Sequence, residues 1–247
     1  MCLMPSKSLA VLALAGVALV GCSAKNEATA ESTASATASV SETQSTASSS
    51  ASSSEPEVSP LPTLANGEEV KLSDEERTAY EAGKYVPATE THPALNVPKP
   101  VMPELAKEQS FEGAKAFIEY WNEANNYAIQ TGATSMAMDA TGTEWKEHRA
   151  LLDEVNKIYV IKNGWLSGAS YQVEVPDYGY QAQMDNQVDI VVVLTRSTGV
   201  VYDQNGAVVE ETGVFNKSSQ PTTMTLGYEA GRWSVASSSG INGVDYE

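Results

Sequence analysis

Val188-Asp189-Ile190-Val191-Val192-Val193-Leu194-Thr195 is the most apolar of the strand-like runs in this chain. It is too short for a core helix and is dominated by β-branched residues, so it predicts a central strand. Strand texture surrounds it. Ala169 to Val175 alternates in polarity. Val200-Val201-Tyr202 and Ala207-Val208-Val209 flank Asp203-Gln204-Asn205-Gly206, which reads as a hairpin turn rather than a calcium loop. Thr222 to Tyr228 and Arg232 to Val235 form a last pair around Glu229-Ala230-Gly231.

Upstream, the period changes to that of a helix. Phe111, Ala114, Phe117, Ile118, Trp121, Ala128 and Ile129 keep helical spacing between Ser110, an N-cap residue, and Gly132, a stop. A helical turn is expected over Thr134 to Asp139. Thr143 is expected to cap a further helix whose apolar face carries Trp145, His148, Leu151, Leu152, Val155, Ile158 and Tyr159, ending at Asn163-Gly164. Helices first and antiparallel strands after is the order of an α+β domain, placed at residues 109–242.

Residues 67–108 read as an extended, proline-rich segment with a short helix, opened by Ser73 with acids in its first turn and closing near Gly83. The prolines between Pro87 and Pro103 block both helix and central strand, and His92 among them is expected to be exposed. Residues 22–66 are Ser, Ala, Thr and Glu with almost no large apolar side chain, the composition of a disordered tether. As a flexible coil it would reach roughly 35 Å. The Ser/Thr content leaves O-glycosylation open beside the plain spacer.

Residues 1–21 have the layout of a secretory signal: Lys7, then an apolar run from Leu9 to Val20, then small Gly21. The run is shorter than a membrane span needs. Leu19-Val20-Gly21-Cys22 resembles the lipobox of bacterial lipoproteins, whose cysteine accepts a diacylglycerol as the signal leaves. The resemblance implies lipidation at Cys22 and a cell-membrane location, anchored on the extracytoplasmic face. The chain has 2 cysteines, Cys2 and Cys22, and Cys2 falls within the signal. A mature chain would therefore hold no internal disulfide.

The net charge of −17 becomes one unit more negative once Lys7 leaves with the signal. Such an acidic chain is unsuited to nucleic acid or to direct docking on anionic lipid. Two separated histidines and no further thiol make no zinc set, so no metal or cofactor is expected. Neither a nucleophile elbow nor a phosphate-binding glycine pattern is present.

Helices followed by antiparallel strands, closing on Gly231-Arg232-Trp233-Ser234-Val235, resemble the SnoaL-like, cystatin-like α+β cone, in which N-terminal helices pack on a curved antiparallel sheet. Residues 85–240 are also similar to a family of actinobacterial lipoproteins of unknown function. Asn96-Val97-Pro98-Lys99-Pro100, Tyr120-Trp121 and Asn126-Tyr127-Ala128 carry much of that resemblance. Members of that family often carry a C-x-x-C at the start of the second long helix. Trp145-Lys146-Glu147-His148 stands there in this chain, so no thiol role transfers.

His148 is the sharpest candidate for a pocket residue, since a cone can aim an imidazole into its mouth. Tyr120, Tyr127 and Trp233 are further pocket candidates, with core packing as the plainer role for each. Three functions remain on the sequence. One is a non-catalytic binding or interaction domain whose partner is an envelope protein or a small apolar ligand. The second is a structural subunit of an envelope assembly. The third is a pocket enzyme pairing His148 with Asp189, which requires both to face one cavity.

Overall fold

The computed structural model describes residues 61–182, 186–211 and 218–240. The signal at 1–21, Cys22 and most of the tether lie outside the described residues. The last residues of the expected tether do not. Thr63 bridges Glu69, and Val70 N–H bonds the Pro62 carbonyl at 3.0 Å. Leu64 packs with Leu72 against a small core of Val70, Val86 and Leu95, so paired structure begins before residue 67.

Helix α1, Asp74–Glu81, starts at a complete capping box. Ser73 accepts from Glu76 N–H, and the Glu76 carboxylate accepts from Ser73 N–H at 2.8 Å. Those hydrogen bonds from Ser73 hold the Glu76 carboxyl below its ordinary pKa. His92, expected at the surface, is fully buried. Its Nδ1–H donates to the Pro93 carbonyl at 2.8 Å, and Nε2 lies 3.4 Å from Glu76 Oε1. Neighbouring prolines suggest exposure, but Val86 and Leu95 pair as a bridge that folds the segment back over this ring.

A 3-10 turn at Glu104–Lys107 leads into α2, Phe111–Thr131. Both ends of α2 are capped as the sequence predicts. Ser110 Oγ accepts from Gly113 N–H at 3.0 Å, and Gly132 adopts φ 73°, where a Cβ would strike the Tyr159 ring. Ser110→Ala is expected to cost about 1 kcal/mol in urea unfolding, the worth of an N-cap. A loss below a few tenths would mean the N-cap bond does little.

Helices α3, Ser135–Ala140, and α4, Lys146–Val160, follow. Thr143 does not cap α4: Trp145 occupies the N-cap position and Thr143 Oγ1 bonds Glu144 instead. The reason is a close approach one residue earlier. Gly142 N–H donates to the Val235 carbonyl at 2.8 Å, and a Cβ on Gly142 would meet that oxygen at 3.2 Å. The chain touches the sheet there and can turn into α4 only afterwards.

The strands are β1 Trp165–Ser167, β2 Ser170–Glu174, β3 Tyr180–Ala182, β4 Gln187–Ser197, β5 Val200–Tyr202, β6 Val208–Glu211, β7 Ser218–Glu229 and β8 Arg232–Gly240. Every pairing between these strands is antiparallel, and with the helices they make the α+β class expected; Thr141 makes a single parallel bridge to Val235. The main sheet runs β2-β4-β7-β8, with β3 also on β4, so the Val188–Thr195 run is interior as predicted. β1, β5 and β6 make a second sheet. The proline-rich segment lies across that sheet: Trp165 Nε1–H donates to Thr89 O at 2.7 Å and Ser167 Oγ–H to Ala88 O at 2.8 Å.

Alternation decides what faces the helices. On β4, Val188, Ile190, Val192 and Leu194 are buried, and Asp189 lies on the opposite face, bonded by Thr225 Oγ1–H at 2.7 Å. Paired partners share a face, so Met224 and Leu226 on β7 and Trp233 and Val235 on β8 join the inward set. Their core partners on α2 are Phe117, Ile118, Trp121 and Ala128. A bulge between Thr225 and Leu226 leaves Ala236 as an extra residue on β8. Beyond it the inward residues of β8 change from odd to even numbers, placing Ser238 opposite Met224 and Gly240 opposite Thr222.

Candidate functional site

The inward face of the main sheet is apolar at one end and polar at the other. Continuing the alternation of β4 past Leu194 brings Arg196 inward. Beside it on that face are Tyr171, its partner on β2, and Gln220 on β7, one inward place along; Thr222 and its β8 partner Gly240 come next. This polar end is roofed by the start of α4. Between the two lies a cavity of about 480 Å³, whose helix side is Trp145, Glu147, His148 and Leu151.

Two consecutive asparagines on α2 hold its aromatic walls. Asn126 grips β2 from its side chain: Nδ2–H donates to the Tyr171 carbonyl and Oδ1 accepts from Tyr171 N–H, both at 2.8 Å. Asn125 is buried, and its Nδ2–H donates to the Trp121 carbonyl at 2.8 Å. Its Oδ1 is thereby turned to His148 Nε2 at 2.7 Å. An amide oxygen only accepts, so Nε2 carries the imidazole proton and Nδ1 is the unprotonated acceptor.

His148 lies in an aromatic stack. Trp145 lies 4.4 Å away at 24° and Trp121 5.2 Å away at 37°; Tyr171 meets the ring edge-on at 6.2 Å. Burial, and secondly the Arg196 charge, push the His148 pKa down to about 3. The ring is therefore neutral near pH 7. Burial also raises the Tyr171 phenol, which Arg196 partly opposes.

Arg196 was not among the residues the sequence singled out. Its guanidinium carbon sits 5.7 Å from the Tyr171 ring centroid, and its Nε is buried without a hydrogen-bond partner. Arg149 provides the contrast, with Nη1 bonded to the Met138 and Thr141 carbonyls at 2.9 and 2.8 Å. The signal for Arg196 was the fifth inward place in Val188, Ile190, Val192, Leu194, Arg196, where a charge interrupts an apolar series.

Of the predicted site residues, His148 lines the cavity and Tyr120, Tyr127 and Trp233 do not. Tyr120 is buried beside Phe117, and Trp233 is a core residue whose Nε1–H donates to the Glu108 carbonyl at 2.8 Å. The Thr131 hydroxyl bonds the Tyr127 carbonyl at 2.6 Å, and the Tyr127 side chain is only partly buried. The acid/base pair of His148 and Asp189 is not formed, because Asp189 is on the far face of β4. A histidine held at a pKa of about 3 is also a poor proton acceptor at neutral pH.

Among the described residues there is no cluster of three His, Cys, Asp or Glu side chains able to hold a metal, and no helix long and apolar enough to cross a membrane. Asp203 Oδ1 accepts from Asn205 and Ala207 N–H at 2.8 and 2.9 Å, so its loop is a hairpin turn.

No curated protein matches the chain. A family of unknown function (DUF6318) matches residues 83–239, within one or two residues of the span of the expected resemblance. The match includes every cavity-lining side chain named above, and the chain belongs to this family of unknown function.

Proposed function

We propose that this protein is a lipid-anchored lipoprotein, held by Cys22 on the extracytoplasmic face of the cell membrane, that displays a non-catalytic small-molecule-binding domain with a SnoaL-like cone. The cavity between α4 and the polar end of the main sheet carries this reading. Its volume of about 480 Å³ falls within the usual range for small-molecule sites, roughly 300–1,000 Å³. It also combines flat aromatic surface with a few convergent polar groups, as such sites do. The apolar run ending at Leu19-Val20-Gly21-Cys22 supports the anchor, and the Ser/Ala/Thr/Glu-rich span after it supports a spacer between membrane and domain.

Both parts are tested on the full chain expressed in a bacterium that processes lipoproteins. The wild type is expected in the detergent phase of a phase-partition extract, with a diacylglycerol-modified Cys22 peptide by mass spectrometry. Cys22→Ala is expected in the aqueous phase. Native mass spectrometry of the purified protein is expected to show a released small molecule, lost when Leu151 is replaced by Trp to fill the cavity. An unmodified Cys22 would remove the anchor. A bound molecule retained equally by Leu151→Trp would remove the cavity as its site.

A further inference from the structure

We propose that the cavity binds a small organic acid, with one carboxylate held by the guanidinium of Arg196 and a flat ring laid against the Trp145–His148 wall. This rests on the cavity being a binding site and adds the chemical class of its ligand.

Arg196 is half-buried, and a buried N–H left without an acceptor is costly to keep. Arg196 has a buried Nε with no acceptor, and among the described residues no carboxylate lies within ion-pair distance of it. Among the described residues its charge meets the Tyr171 ring face. Scarcity of acid is not the reason, because the chain has 32 Asp and Glu against 15 Lys and Arg. The guanidinium fork matches a carboxylate with two parallel hydrogen bonds, which an aromatic face cannot supply.

His148 is neutral, so among the described cavity-lining residues Arg196 brings the only positive charge. Glu144 and Glu147 also line the cavity, and both are exposed. One cation with two carboxylates nearby suits a monoanion and disfavours a dianion such as a phosphate monoester. Trp145 and His148 stack at 24°, giving a flat apolar wall, and Gln220, Thr222 and Ser238 offer neutral hydrogen-bonding groups on the sheet side.

The test uses the full chain and three probes: benzoate, its uncharged analogue benzamide, and phenyl phosphate. Binding is read from the Trp145 indole N–H resonance in a titration. Benzoate is expected to bind roughly tenfold or more tightly than benzamide, the scale of one charge-assisted hydrogen-bonded pair. Phenyl phosphate is expected to bind more weakly than benzoate. Arg196→Gln is expected to bring benzoate to the level of benzamide. Should that variant fail to fold, Arg196→Lys keeps the charge, loses the fork, and is expected to weaken benzoate about threefold or more. Equal binding of benzoate and benzamide by the wild type would overturn the carboxylate assignment and leave the cavity as a site for neutral ligands. Tighter binding of phenyl phosphate would overturn the monoanion. No response to any probe at millimolar concentration would overturn this inference and the binding function beneath it.

Discussion

Replacing Trp121 by alanine is expected to remove about 3–5 kcal/mol of stability, the range for deleting a buried large aromatic side chain. Trp121 is fully buried on α2 and touches three elements at once. It stacks on Trp145 at 5.9 Å and 13°, faces Tyr171 at 6.1 Å, and donates from Nε1 to Thr141 Oγ1 at 3.2 Å. The Thr141 hydroxyl in turn donates to the Ala137 carbonyl at 2.8 Å, closing α3. The substitution therefore opens a void behind the cavity wall and removes one of the bonds to Thr141. Urea unfolding followed by far-UV circular dichroism measures the loss without relying on tryptophan emission. Trp121→Phe keeps a ring in the stack and is expected to lose less. A loss under about 1 kcal/mol for Trp121→Ala would show that the site collapses without cost, contrary to tight core packing.

Lowering the pH from 7 to 4 is expected to destabilise the wild type by about 3 kcal/mol more than His148→Gln. The folded-state pKa of His148 is about 3, below its ordinary 6.5, so the unfolded chain takes up the proton first. Stability from keeping this ring neutral is fully present above about pH 6.5. It is lost as the pH falls from there toward about 3, at roughly 1.4 kcal/mol per unit. Gln keeps a donor for Asn125 Oδ1 and has no titration. Arg196 from β4 and the Tyr171 phenol from β2 face the ring in both proteins. Glu147 on α4 and Glu144 beside it are common to both proteins. The same holds for Glu76, Glu154 and Asp203, whose depressed pKa values also withdraw stability in acid. Paired unfolding curves at pH 7, 5.5 and 4 supply the comparison. Parallel pH profiles for the two proteins would mean that His148 does not stay neutral in the fold.

The elements that could be read from the sequence are those whose signals are local. Helix α2 carries a cap at Ser110, a stop at Gly132 and an apolar stripe between them. β4 carries a β-branched run, and the β5–β6 turn carries Asp203 and Gly206. What could not be read depends on contacts distant in the chain. β1 and β3 are three residues each, too short to show a period, and exist because β5 and β4 pair with them. The cap of α4 moves from Thr143 to Trp145 because Gly142 first bonds Val235, far along the chain. His92 is buried because Val86 and Leu95 pair, while its immediate neighbours speak for exposure.

The candidate site divides the same way. His148 was visible as a polar residue on an apolar helix face. Arg196 needed the full length of β4, since its inward direction follows from counting alternate positions beyond Leu194. Tyr120 and Trp233 were aromatic in the right segments, but aromatic content does not separate a wall from a core. Only sheet register shows that the apolar end of the inward face is filled by α2 and that the polar end is not.

The extra residue at Ala236 gives chain length a chemical meaning. Upstream of it β8 turns indole and isopropyl groups toward α2; downstream it turns a hydroxyl and a bare glycine toward the cavity. The switch belongs to no particular side chain, because one added residue changes the phase of everything after it. In this scaffold pairing the same residues without the bulge would turn Ser237 and Ser239 to the side that Ser238 and Gly240 now occupy, with the composition of the strand untouched. Alignments that treat such a gap as noise would pair cavity-facing positions with outward-facing ones.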